Sequence, residues 1–297
     1  MKLVFREGVS IQNGAGPNLI LNWQVGDQTL EAEFSSLTPG ILTALRSMAE
    51  SGVTLQKLVN TVVEKDGWPT LYKFHAYLQT LEKASLIHRF VPNGNGPLVT
   101  LVPNSPYYRF RKQTIDPEQK YILSRFAYWH REENHFVLES PMGLAKLRWH
   151  DGQIPALILE LHRPCSLLDL AEHLKTLSPK KLETVFVFLL NAALLTEVDD
   201  DGQIQEEANK TIHQWEFHDL LFHARSRNGR AMNGHGGTYR FWGQIPPLPA
   251  VKPPMSDEYI DLCRPDAEHL AAHNVSLASV MAERRSIREY DDKTPLP

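Results

Sequence analysis

Residues 54–67 read TLQKLVNTVVEKDG, and residues 166–177 read SLLDLAEHLKTL. Each opens on a hydroxyl residue suited to accept from the backbone N–H groups of a first helical turn. Each then carries leucines three apart, Thr54-Leu55-x-x-Leu58 and Ser166-Leu167-x-x-Leu170. The two stretches lie 112 positions apart. An internal repeat of this kind fixes architecture before any single element does.

The surroundings of the two stretches agree with a repeat. Upstream of the first, KLVFREGVSIQ, NLILNWQV and QTLEAEF alternate apolar and polar residues, which predicts a three-strand meander. TPGILTALRSMAESG then sets Ile41, Leu42, Leu45 and Met48 on one helical face and stops at Gly52. Downstream, PTLYKFHAYLQTLEKA predicts a third helix with Pro69 in its first turn. PNGNG between LIHRFV and PLVTLV predicts a hairpin. Around the second stretch, KYILSRFAYWHR, HFVLESPMG and LAKLRWHDG predict strands, and PALILELHRP and SPKKLETVFVFLLNAALL predict helices. Leu81, Ala84 and Leu86 align with Leu190, Ala193 and Leu195 at a spacing of 109, so a three-residue deletion reconciles the copies.

The predicted fold is α+β, with tandem winged-helix-like modules of three strands and three helices over 1–105 and 106–203. A Gly/Pro-rich, mostly irregular linker is expected over 204–272, where QIPPLPAVKPP excludes helix and central strand. Helix resumes in 273–297, capped by Ser276 with Leu277, Val280 and Met281 on one face.

Charge narrows the partners. Lys plus Arg is 31 against Asp plus Glu at 35, a net charge of −4, which gives no long-range pull toward nucleic acid. Tyr72, Phe74, Tyr77 and Leu78 dominate the helix at 69–84, and the helix at 180–195 is apolar nearly all round. Neither offers the Arg, Asn or Gln cluster that base edges require, so no nucleic-acid partner is expected. Cys165 and Cys263 form no metal set, and His218 and His223 are five apart rather than the four that aligns ligands on a helix. No metal is expected. No signal peptide is expected, because a strand-like KLVFREGVSIQ follows Met1, and the longest apolar run, VFVFLL, is too short to span a bilayer. A cytoplasmic protein without membrane contact is expected.

The third strand of each module should form a sheet edge beside a helix, where an extended peptide can add by main-chain pairing. These edges are Thr29–Phe34 and the stretch Leu144, Ala145, Lys146, Leu147, Arg148 and Trp149. The second, facing the helix at 180–195, is the expected peptide-binding site.

Residues 283–297, ERRSIREYDDKTPLP, hold the sharpest local chemistry. Arginine forks match phosphate oxygens bidentately and a serine hydroxyl adds a donor. With Leu277-x-x-Val280-Met281 before it and Tyr290 and Pro295-Leu296 after it, the stretch resembles the first helix of the nitroreductase flavoprotein family. That resemblance implies that Arg284, Arg285, Ser286 and Arg288 bind FMN. FHDLLFHARSR (217–227), GGTYRFWG (236–243) and PPLPAVKPP (246–254) resemble the run before the flavin domain in peptide azoline dehydrogenases of the cyanobactin thiazoline oxidase kind. Those enzymes carry amino-terminal peptide-clamp modules, similar to the repeat read above.

The resemblance implies FMN-dependent oxidation of thiazoline or oxazoline rings to thiazole or oxazole in a ribosomally made peptide. It further implies an azoline-containing precursor peptide as partner and a homodimer formed through the flavin domain. Residues 273–297 would be only the start of that domain, with the family's catalytic Lys-Tyr pair beyond residue 297, so no catalytic residue is assigned in this chain. The alternative reading is a peptide-binding scaffold without redox activity. A third is a tandem winged-helix DNA-binding regulator.

Overall fold

The computed structural model describes residues 1–14, 16–25, 28–94, 96–227, 229–230, 241–258, 260, 262, 264–272 and 275–286. Gly26, Asp27, Asn95, residues 231–240, Cys263 and residues 287–297, all included in the stretches above, lie outside the described residues. The chain divides into two compact units after residue 238.

The first unit begins with β1 (Lys2–Phe5), β2 (Ser10–Asn13), β3 (Leu19–Val25) and β4 (Gln28–Phe34). Three helices follow: α1 (Pro39–Glu50), α2 (Leu55–Asp66) and α3 (Leu71–Lys83). The hairpin β5 (Ile87–Asn93) and β6 (Gly96–Pro103) comes next. The same order then returns. It runs β7 (Lys120–Leu123), β8 (Tyr128–Glu132), β9 (His135–Glu139) and β10 (Ala145–Trp149). Helices α4 (Gln153–Glu160), α5 (Leu167–His173) and α6 (Pro179–Asn191) follow, and β11 (Leu195–Val198) closes the copy.

Hydrogen bonds make the repeat concrete. Leu3 and Val53 exchange backbone bonds of 2.8 Å immediately before the Thr54 cap, and Tyr121 and Cys165 exchange bonds of 2.9 Å before the Ser166 cap. Thr54 accepts from the Lys57 N–H at 3.3 Å, and Ser166 accepts from the Asp169 N–H at 3.1 Å within a full capping box. The Arg6 N–H donates to Leu86 O, and the Ser124 N–H to Leu194 O.

Two expectations need correction. The single first strand of each copy is two strands, broken at Gly8 (φ 78°) in one and at Ser124–Phe126 in the other. The break lets β1 pair with β5, and β7 with β11, while β2 and β8 join their meanders. The spacing at the third helices is 108 rather than 109. Ser85 (φ 55°) and Ala193 (φ 53°) are the left-handed residues that end α3 and α6. Leu86 N–H donates to Leu81 O, and Leu194 N–H to Leu189 O. The deletion is therefore four residues, taken from α5, which has 7 residues where α2 has 12.

The first copy packs around Leu19, Leu21, Ile41, Leu45, Leu58 and Phe74, and the second around Leu147, Leu157, Phe186 and Phe188. Leu98, Val99 and Leu101 of β6 belong to the second core. Strand β6 pairs with β5 on one side and β10 on the other, giving a six-stranded sheet in the order β1-β5-β6-β10-β9-β8.

The stretch from residue 204 is not irregular from its start. It forms α7 (Gln205–Ala208), α8 (Lys210–His213) and α9 (Phe217–Ser226). Leu220 and Ala224, one helical turn apart, bury the face of α9. In the second unit, residues 241–258 are exposed and without helix or strand, followed by α10 (Ala267–Ala272) and α11 (Leu277–Glu283).

Candidate functional site

The first meander has the order β2-β3-β4, so among the described residues β4 pairs only with β3. Its outer N–H and C=O groups form an open edge. Phe34, Ala32 and Leu30 fall on one face by strand alternation, grading from buried to exposed. Helix α3 ties itself to the end of this strand. Tyr77 meets Phe34 edge to face at 5.5 Å, and the Lys73 ammonium donates to Ser36 O at 2.9 Å. The first expected edge, Thr29–Phe34, is thus open and flanked by a helix.

The second expected edge is not. Strand β10 pairs antiparallel with β9 through Leu147↔Leu138, and with β6 through Ala145↔Pro103 to Trp149↔Val99. Leu144 O accepts from the Asn104 N–H at 2.8 Å. Strand addition at Leu144, Ala145, Lys146, Leu147, Arg148 and Trp149 is therefore corrected. Their main-chain groups are already used by β6, which occupies the position where an added peptide would lie. The signal was present in PLVTLV, a run interrupted only by Thr100, which marks a strand buried on both faces rather than a solvated wing.

The opposite face of β10 is polar. Lys146 and Arg148, two apart on the strand, pair with Glu132 and Glu7. Beside them Glu139 accepts from Asn104 at 2.9 Å, bonds His130 at 2.7 Å, and pairs with Arg225 of α9. Burial alone would raise the Glu139 carboxyl. Arg225 and the bonds from Tyr128 and His130 outweigh it and hold the group below its ordinary range. Burial pushes Tyr128 up to about 12. His88 of β5 is 6% exposed, and burial with the Arg148 charge lowers its pKa to about 3, so it is neutral. Sequence reading missed this cluster, because its members come from the turn after β1 and from β5, β8, β9, β10 and α9.

The expected flavin contacts lie in the second unit. Arg284 is the C-cap of α11, its N–H donating to Val280 O at 3.0 Å. Arg284, Arg285 and Ser286 are exposed, and adjacent in sequence. Arg284 thus closes the helix, and Arg285 and Ser286 follow it. Two guanidinium forks and a hydroxyl suit a phosphate group. Leu277, Val280 and Met281 leave the apolar face of α11 exposed. His218 and His223 pack on Phe217 and Trp215, and among the described residues no cluster of His, Cys, Asp and Glu could hold a metal. Among those residues no helix is long and apolar enough to cross a membrane.

Family models decide what kind of chain this is. Residues 1–112 match the ThcOx helix turn helix domain, and residues 121–232 match Cyanobactin oxidase ThcOx. The two matches cover about three quarters of the chain and meet between the two copies of the repeat.

The chain belongs to the cyanobactin oxidases.

A role in cyanobactin maturation follows from that membership, and the helix-turn-helix name agrees with the three-helix core of the first copy. A comparison of this cyanobactin oxidase chain with curated proteins finds no match.

Proposed function

We propose that this chain is the peptide-holding part of an FMN-dependent azoline oxidase, acting on thiazoline or oxazoline rings in a ribosomally made precursor peptide. The observation that carries the reading is the pair of family matches lying over a duplicated module, one copy of which keeps an open edge. Strand β4 receives an extended segment of the precursor, with Leu30 and Ala32 offering apolar contact and α3 closing one side. Holding a floppy substrate this way raises its local concentration at the reacting site.

FMN, when bound, supplies the two-electron acceptor for ring oxidation. The role of this chain toward it is electrostatic: Arg284 and Arg285 neutralise the phosphate, with Ser286 as a further donor and Arg288 as the next cation along the chain. The uncovered face of α11 supports this reading, since a helix with exposed Leu277, Val280 and Met281 needs a partner surface. Assembly as a homodimer through a flavin domain is part of the same proposal.

The test uses the full gene product. Supplied with FMN and a thiazoline-bearing precursor, it should remove two hydrogens per ring by mass spectrometry, and Arg284→Ala should purify without its yellow colour. A full-length protein that binds the precursor but neither holds flavin nor changes the peptide mass would establish the scaffold reading instead.

A further inference from the structure

A cavity of about 540 Å³ lies over the polar face of the six-stranded sheet, and Lys146, Arg148, His88, Glu7 and Glu132 are among its walls. Burial is distributed unequally between its charges. The Arg148 and Lys146 side chains are only 12% and 14% exposed, while their partners Glu7 and Glu132 are 69% and 38% exposed. A buried cation held by a mobile, solvated carboxylate is weakly compensated, because such pairs are screened and lose side-chain entropy. Arg148 is also half-used. Glu7 accepts from Nη1 at 2.7 Å, and the buried Nε has no hydrogen-bond partner. His88, nine-tenths buried in the same wall, makes no hydrogen bond from either ring nitrogen among the described residues. A buried donor without a partner is costly, and Arg148 Nε beside this cavity marks a place for a ligand.

We propose that this cavity binds a carboxylate, seated side-on against Arg148 through Nε and Nη2 while the His88 ring donates a further bond. Glu7 is the internal occupant of the same guanidinium and competes with the ligand. The walls choose the ligand's chemistry. Arg225 is held by Glu139, and Arg6 by the backbone oxygen of Gln24 at 2.8 Å, so the site offers one open fork rather than a field of cations. Glu7, Glu132 and Glu133 surround it and disfavour a dianion such as a phosphate. A single planar carboxylate matches one fork. It comes from an acidic side chain of a peptide or from a free small acid. The site stands apart from the flavin chemistry proposed above and does not depend on it.

The experiment follows the His88 ring and Arg148 Nε resonances of this chain during titration with three probes. These are the blocked peptide Ac-Gly-Gly-Glu-Gly-Gly-NH2, its Gln counterpart, and butyrate, a free acid with a single carboxylate. Saturable shifts with the Glu peptide, at least about tenfold tighter than with the Gln peptide, are expected, since tenfold is the scale of one charge-assisted bond. Butyrate binding as tightly as the peptide assigns the site to free acids, and weaker butyrate binding assigns it to peptides. Glu7→Gln should tighten binding several-fold by removing the competitor, an effect that a purely structural Arg148 would not give. Arg148→Lys should weaken it about tenfold or more. If Arg148→Lys does not fold, the exposed Glu7→Gln variant decides alone. Absence of saturable shifts with both acids, equal binding of the Gln peptide, or unchanged affinity in Glu7→Gln overturns the proposal.

Discussion

Strands β4 and β10 hold the same place in the two copies of the module, third in a meander that is followed by three helices. Their fates differ. Strand β4 has a neighbour on one side only, whereas β10 has β9 on one side and β6 on the other. The duplication thus supplied two equivalent edges. One is consumed in joining the copies into a continuous sheet, and the other is left open for a partner. A module's inherited binding edge is lost when a neighbour supplies the missing strand, even though its own sequence keeps the pattern.

The largest expected effect tests that joining strand. Leu101 is 1% exposed, lies across from Leu147, and packs in the second core. Leu101→Ala should cost about 3 kcal/mol in urea-monitored stability, within the usual range for a buried leucine. A loss below about 1 kcal/mol would mean that β6 is a peripheral wing.

Asp66 gives the next test. Its carboxylate accepts from the Gly40 and Ile41 N–H groups at 2.9 and 3.1 Å and from the Thr38 hydroxyl at 2.5 Å, capping α1 from the end of α2. The approach is so close that a Cβ on Gly40 would collide with that carboxylate. In the second copy α4 takes its cap locally instead, from Asp151, whose carboxylate accepts from the Gln153 N–H at 2.9 Å. Asp66→Ala should destabilise the protein by about 2 kcal/mol. Calorimetry would detect the change as a lowered melting temperature.

The acid limb of stability sharpens the comparison at the sheet that joins the copies. His88 has a folded pKa of about 3, below its unfolded value near 6.5, so the unfolded chain binds the extra proton between those values. Its contribution is complete above about pH 6.5 and is lost as pH falls toward 3, at up to about 1.4 kcal/mol per pH unit. Glu139, with a lowered folded pKa, adds to the loss only at lower pH, below the ordinary carboxylate range. His88→Phe should flatten denaturation midpoints between pH 6 and 5, whereas an unchanged slope would remove His88 as the cause.

The smallest stability effect is expected at the open edge. Leu30 is 40% exposed on β4, and Leu30→Glu should change stability by less than about 0.5 kcal/mol. The same change should weaken precursor-peptide binding at least about tenfold in a fluorescence-anisotropy titration. Unaltered affinity would detach the peptide from β4.

Local chemistry was legible from sequence wherever neighbours in the chain decide it. The Thr54 and Ser166 caps, the β5–β6 hairpin and the helix beginning at Leu277 all have short-range causes. The slip of one residue at the third helix has a local cause too. LNAALL carries two adjacent alanines, and only the left-handed backbone at Ala193, matching Ser85, selects the alignment. What was hidden is long-range. The pairing of β6 with β10 joins residues more than forty apart, and no alternation in β10 distinguishes an edge from an interior strand. The cavity around Arg148 is hidden for the same reason, since its charges are assembled only by the six-stranded sheet. Helix α9 was missed because its apolar residues bury a single narrow face.

The pairing of β6 also governs how the protein can be cut into pieces. A shortened chain ending before Lys120 would keep the hairpin but lose β10, uncovering Leu98, Val99 and Leu101 along a strand open on one edge. Such a strand, apolar and without a guarding charge between Gly96 and Pro103, is a template for self-association. The isolated amino-terminal half should therefore precipitate or pair with itself, and solubility would return only when residues 120–198 are supplied with it.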